Sequence, residues 1–142
     1  MLREQIVIDV LEKLKNAQDP AFGLVSREPF ETTQLSRQQF PALYITTADE
    51  VREDLTQNGK NGLRTSSLAI RIIGYVSGTQ IDTLRNDLIE RVEEILDDDR
   101  TRGGIARSTQ LKEVFVDYNI ISPMGRVELV IEVIYNYRRG IA

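Results

Sequence analysis

The sequence predicts a single α+β domain over residues 1–142, with a mainly antiparallel sheet, two helices packed on one face of it and a projecting β-hairpin. Three observations lead to this prediction. Leu68–Leu96 has the pattern of a strand, a tight turn and an amphipathic helix. A second amphipathic stretch lies near the N-terminus, and a regularly alternating strand lies near the C-terminus. Together they indicate a sheet that buries one face under helices.

The strand–helix unit is the most regular part of the chain. Its strand, Leu68–Val76, alternates apolar residues and has two largely apolar faces, which favours a central position in the sheet. Ser77-Gly78 ends the strand, and Thr79 with Asp82 three residues later predicts a capping box. The helix then follows from an apolar stripe of Ile81, Leu84, Leu88, Val92, Ile95 and Leu96.

The first half of the chain supplies a helix and a long hairpin. Apolar residues at four-residue spacing predict an amphipathic helix over residues 2–17. Phe22–Phe30 reads as an edge or irregular strand, because Pro29 lacks a backbone N–H group. Thr46–Gln57 fits either a helix or a charged strand, and its alternation favours the strand. The turn sequence Asn58-Gly59-Lys60-Asn61-Gly62 would then join strands 43–57 and 63–76 in a hairpin.

The last third of the chain predicts two more strands. A charged stretch with a Gly-Gly stop, Asp97–Gly104, breaks the chain after the second helix. Leu111–Ile121 alternates as a strand, and Pro123 and Gly125 mark a turn. The final strand begins at Val127 and alternates apolar and polar residues as far as Arg138.

Composition excludes most catalytic chemistry. The chain has no cysteine and no histidine, so thiol chemistry, disulfides and serine–histidine or cysteine–histidine mechanisms are absent. The net charge of −4 argues against wrapping of nucleic acid. Arginine outnumbers lysine by 14 to 4, which suits ion pairs between subunits. No apolar run is long enough to cross a membrane, and no signal-peptide pattern opens the sequence.

The candidate functional residues therefore belong to an interface, and no catalytic, cofactor-binding or metal-binding residue is predicted. Arg71 is either a recognition residue or, as we favour, the partner of Glu128 or Glu132 across the sheet. The acidic cluster at 97–99 suits a solvated helix end better than a metal site, because consecutive side chains diverge. The predicted subunit or partner interface comprises Arg71, Asp97, Asp98, Asp99, Arg100, Arg102, Asn58, Lys60 and Asn61.

The order of these segments carries a resemblance to a known family. A first helix, Phe40-Pro41-Ala42-Leu43-Tyr44-Ile45, a charged hairpin, a strand ending Gly74-Tyr75-Val76, a helix and an acidic Gly-Gly break follow one another over residues 2–138. This pattern resembles the tail terminator (tail completion) proteins of long-tailed bacteriophages. The sequence departs from the family pattern at Arg102, where a leucine is usual.

The resemblance implies a structural virion protein that is not an enzyme and needs no cofactor. Such a protein forms a homohexameric ring that caps the completed tail tube, stops tube polymerisation and offers a docking face for the head. Its expected partners are further copies of itself, the tail tube protein and the head–tail connector, with no membrane contact. DNA would pass through the pore without specific binding. The protein would be made in the host cytoplasm and reside at the head-proximal end of the virion tail.

Three other functions remain open at the level of sequence. The nearest is another phage structural ring, a head–tail connector or neck protein, which would bind the portal rather than the tube end. A small ligand-binding domain is the second, and a stable monomer would favour it. The third is an enzyme that uses carboxylates, either Asp97–Asp99 or the Asp49-Glu50 pair.

Overall fold

The structure, a computed structural model, describes residues 2–18, 21–55, 62–117 and 123–138. Two α-helices and five strands lie within these ranges, together with two short 3₁₀ turns, Thr32–Gln34 and Arg37–Gln39. The elements in chain order are α1 Leu2–Lys15, β1 Leu24–Ser26, β2 Ala42–Asp54, β3 Leu63–Ser77, α2 Ile81–Asp97, β4 Ser108–Asp117 and β5 Met124–Arg138. The predicted α+β fold is confirmed.

One five-stranded sheet runs in the order β1-β2-β3-β5-β4. All neighbouring strands are antiparallel except β1 and β2, which are parallel. The central strand is β3, as its two apolar faces predicted, and it pairs with β5 from Leu63 opposite Arg138 to Ser77 opposite Met124. The sheet therefore has two edges, β1 and β4.

Both helices pack on the same face of the sheet. Their buried side chains join those of β2, β3 and β5 in a single hydrophobic core. In β3 and β5 this face carries alternate residues, which is the two-residue period of a strand with one face buried. The helices contribute Ile6, Val7, Val10, Leu14, Leu88, Val92 and Leu96 to the core.

The start of α2 differs from the sequence-based prediction. The N-cap is Gln80, in a left-handed conformation with φ 58°, and its side chain makes no capping hydrogen bond. Thr79 lies one residue too early for its hydroxyl to serve as the cap, so the predicted capping box is wrong. The chain instead reverses through Gly78, whose N–H donates to the Pro123 carbonyl at 2.9 Å.

The strand prediction for the uncertain segment after Ile45 is confirmed as far as Asp54, which pairs with Arg64 of β3. The register shifts between Thr47 and Glu50, so the chain bulges there. Beyond the bulge, Glu50 and Arg52 lie on the face that carries the helices, because they pair with the core-facing Leu68 and with Ser66. The turn residues Asn58, Lys60 and Asn61 lie outside the described residues.

Candidate assembly interface

The edge strand β4 exposes two large apolar side chains. Val114 is 40% exposed and Phe115 is 51% exposed. Val114 pairs with Leu129 on the helix face of the sheet, whereas Phe115 pairs with Glu128 on the open face. An edge strand also directs alternate backbone N–H and C=O groups away from its neighbour, which makes it a template for another strand. This edge therefore presents exposed apolar side chains together with backbone groups that face no neighbouring strand of the described sheet.

The first half of the β4 edge is protected and the second half is not. The guanidinium Nε of Arg100 donates to the Thr109 carbonyl at 3.2 Å, and the Thr109 hydroxyl donates to the Arg100 carbonyl at 2.9 Å. Next comes a bulge between Leu111 and Glu113, which leaves Lys112 without an opposite residue in β5. Bulges and lysines both discourage edge pairing. The stretch 113–117 follows without either device.

Paired charges lie on the open face of the sheet around Arg71 and Arg126. Arg71 donates two hydrogen bonds to Glu128, at 2.5 and 3.1 Å, which confirms the predicted cross-strand pair. Arg126 approaches the same carboxylate at 3.6 Å and also reaches Asp117 at 3.6 Å. The hydrogen bonds from Arg71 lower the pKa of Glu128 although burial opposes them. Arg71 is thus neutralised within its own subunit.

One end of the open face is closed by an aromatic side chain from the loop after β1. Phe30 packs edge-on against Tyr44 and Tyr75, with ring centroids 6.4 and 5.8 Å apart. Ile73, beside them on the same face, is buried. The second apolar face of β3 is therefore partly covered by the chain itself.

Arg102 does not belong to a surface interface, so that part of the sequence-based prediction is wrong. Its side chain has no exposed area, and its Nη1 lies 3.2 Å from Asp9 Oδ2 in α1. It also donates to the carbonyl oxygens of Leu96 and Asp99 at the end of α2. Burial lowers the pKa of the guanidinium, and the nearby carboxylates partly oppose this. Arg102 holds α1 to the end of α2 from a buried position.

The acidic cluster before Arg102 divides into two roles. Asp99 faces the turn that follows it and accepts hydrogen bonds from the backbone N–H groups of Thr101 and Gly103, at 3.1 and 2.8 Å. These contacts lower the pKa of the Asp99 carboxyl. Asp97 and Asp98 are exposed at the end of α2. Within the described ranges no cluster of acidic side chains is arranged to hold a metal ion.

A second carboxylate cluster, on the helix face, contains residues that sequence reasoning did not place together. Glu50, whose side chain is 7% exposed, accepts hydrogen bonds from the hydroxyls of Ser66 and Tyr135. Arg52 donates to it at 3.0 Å and Arg3 of α1 lies at 3.4 Å. Burial raises the pKa of Glu50, but the hydrogen bonds outweigh it, so the pKa lies below its ordinary value of 4.5.

This Glu50 cluster is formed by a register shift that the sequence does not show. Without the bulge after Thr47, alternation would place Glu50 and Asp54 on the opposite face from where they lie. The only feature of the sequence that points to this cluster is the pair of adjacent carboxylates, Asp49 and Glu50. Because the Glu50 carboxylate already accepts from three side chains, it is a structural anchor rather than a free acid or base.

A groove separates α2 from the residues that precede β2. Its volume is about 460 Å³, and its apolar lining includes Phe40, Pro41, Leu84 and Leu88. Asp87 and Glu94 lie on its α2 wall. A groove of this size is within the range that holds small ligands.

The predicted interface residues that the structure describes do not form one site. Arg71 lies on the open face of the central strand. Asp97–Arg102 instead span the end of α2 and the turn after it, where Arg102 contacts α1 and Arg100 contacts the start of β4. No described helix is both long and apolar enough to pass through a membrane. No protein-family model matches the sequence, and neither does any curated protein.

Proposed function

We propose that this protein is a structural subunit that assembles into a homo-oligomeric ring and caps a phage tail tube as a tail terminator. The observation that carries the proposal is the unprotected half of the β4 edge, with Val114 and Phe115 exposed on its two sides. Exposed apolar residues on a free edge cost solubility unless another chain covers them. A partner strand would cover the apolar side chains and pair the free backbone groups of the edge.

The charge distribution agrees with a ring through which DNA passes. Arg71 and Arg126 on the open face are each paired with carboxylates of the same chain. A guanidinium that is already paired with a carboxylate displaces few counterions from DNA, so such a surface binds phosphates weakly. The net charge of −4 has the same consequence.

The Glu50 cluster supports a structural role over an enzymatic one. The Glu50 carboxylate accepts hydrogen bonds from Ser66, Tyr135 and Arg52, and these contacts lower its pKa. The carboxylate is therefore charged at neutral pH, and its oxygens are already hydrogen-bonded. A general base needs a pKa near the working pH and an approach for the substrate proton. This carboxylate instead connects three strands.

The proposed partners are further copies of the chain, the tail tube protein and the head–tail connector. The test begins with sedimentation velocity of the purified protein, followed by electron microscopy after addition of tail tubes assembled without it. We expect rings, with hexamers as the stoichiometry, and caps at one tube end. Ion pairs at the rim are screened by salt, so raised salt should loosen the ring while the subunit stays folded.

The same experiment separates the alternatives. Rings that bind portal or connector preparations but ignore tube ends would replace the terminator function with that of a neck ring protein. A monomer that binds neither would contradict ring assembly altogether. The groove of about 460 Å³ beside α2 would then make ligand binding the better function. Thermal stabilisation by members of a small-molecule panel would identify that case.

A further inference from the structure

We infer that the unprotected half of β4 pairs with β1 of the next copy, so that the ring is held by an antiparallel seam between sheets. The inference rests on the proposed ring and names the surfaces that build it. The described sheet has one free edge at β4 and the other at β1, which pairs with β2 alone among the described strands. A contact between two different edges is heterologous and can close into a ring.

The strand directions favour this pairing. Three antiparallel steps lead from β2 to β4, and β1 is parallel to β2. Strand β4 therefore runs opposite to β1. Copies placed side by side in the same orientation would bring β4 of one against β1 of the next as antiparallel neighbours, which is the more stable ladder.

The side chains of the two edges also match face by face. Val25 pairs with the core-facing Leu43, so it lies on the helix face, and Leu24 lies on the open face. In an antiparallel seam, residues directly opposite each other share a face. Val25 opposite Val114 then places Leu24 opposite Phe115, and both exposed apolar side chains of β4 meet apolar partners.

The seam has a defined end. In this register Arg27, just after β1, would lie opposite Lys112, and like charges directly opposite are unfavourable. Arg27 is instead bound to Glu4 of α1, at 2.6 and 3.2 Å, and Lys112 sits in the bulge. The pairing is therefore short and stops at Ser26, so further contacts at the rim must add to it.

Engineered cysteines test the seam directly, because the natural chain has none. The full-length Leu24→Cys/Phe115→Cys variant should form disulfides between copies on mild oxidation, since directly opposite residues meet the distance requirement of a disulfide. Non-reducing electrophoresis should show a ladder that ends at the ring size. Val25→Cys/Val114→Cys probes the helix face of the same seam and should give the same ladder.

The single variants provide the matched controls. Leu24→Cys and Phe115→Cys alone should remain uncrosslinked, because each cysteine faces a side chain without a thiol. Efficient dimer formation by Phe115→Cys alone would show β4 paired with itself across a two-fold axis and would overturn the inference. Thermal melts of all variants under reducing conditions check that they fold.

Sedimentation of the same samples separates the seam from the proposed function. Rings that form without crosslinking in either double variant would overturn the seam and leave the ring intact. A ladder together with failure to bind tube ends would support the seam and contradict the terminator function. Uniformly monomeric protein without crosslinks would contradict both.

Charge substitution gives a second readout. Phe115→Lys should raise the protein concentration needed for ring assembly at least tenfold. It should not lower the melting temperature, because the side chain is exposed in the subunit. Ile8→Lys is the matched control, since Ile8 is 43% exposed on α1 and belongs to neither edge strand. Equal effects of the two substitutions on assembly would contradict the seam.

Discussion

Tyr135 of β5 donates its hydroxyl to the carboxylate of Glu50 in β2, with Oη 2.5 Å from Oε2. Strand β3 runs between them and contributes the hydroxyl of Ser66 to the same carboxylate. The phenol is buried, and burial together with the carboxylate raises the pKa of Tyr135. One charged group thus joins three strands at the end of the sheet where the hydrophobic core gives way to polar residues.

Removal of this charge should destabilise the domain. Glu50→Gln should lower the free energy of unfolding by about 1–3 kcal/mol, because two hydroxyls and a guanidinium lose a charged acceptor. Urea denaturation followed by circular dichroism measures the change. Glu53→Gln, an exposed position on the same strand, is the control and should have little effect. Equal stability of the two variants would show that the Glu50 contacts contribute nothing.

The same carboxylate predicts how stability depends on pH. The pKa values of Glu50 and Glu128 lie below their ordinary value of 4.5 in the folded protein. Their contribution is therefore complete above that value and is lost as pH falls through the folded pKa. Urea midpoints measured from pH 7 to pH 3 should fall below about pH 4.5. The fall should be shallower in Glu50→Gln, and an identical pH profile would contradict the assignment.

Arg102 should govern subunit stability and not assembly. Arg102→Glu places a second carboxylate beside Asp9 in a buried position, so we expect a loss of about 3–5 kcal/mol, as for broken buried ion pairs. Arg102→Leu should cost less, because it removes the desolvation of the guanidinium. Arg107→Glu, on the exposed connection before β4, serves as the control. A native melting temperature for Arg102→Glu would contradict the buried position.

Gly74 and Leu88 should show coupled effects. A Cβ atom on Gly74 would overlap the Leu88 side chain of α2, so Gly74→Ala should cost about 1–3 kcal/mol. Leu88→Ala alone should cost about 2–5 kcal/mol through a cavity. The double variant should cost less than the sum, because the new methyl group enters the vacated space. Simple additivity in denaturant melts would show that the two positions do not touch.

Regular periodicity was sufficient to predict most of the fold. The stripe from Ile81 to Leu96 and the alternation from Val127 to Tyr137 gave α2 and β5 with their buried faces, because each face packs on one continuous core. The short β1 was predicted only as an irregular edge, since three residues carry little pattern. The patterns that predict α2 and β5 each lie within one short stretch of the sequence.

The surroundings of the candidate residues were predicted less well, because they depend on contacts between distant segments. Arg102 reads as one more charge in a polar stretch, and only its contact with Asp9 of α1 shows that it is buried. The shift after Thr47 that brings Glu50 onto the helix face leaves no periodic trace. By contrast, the pairing of Arg71 with Glu128 was predictable, because both follow the regular alternation of neighbouring strands.

The position of β4 in the sheet has a consequence for the order in which the protein becomes able to assemble. Among the described strands β4 pairs only with β5, which follows it in the chain. During synthesis β4 leaves the ribosome before its sole partner strand, so its free edge acquires a fixed register only once β5 is in place. A nascent or truncated chain would thus lack the edge that we propose joins the copies, and only completed subunits would enter the proposed ring.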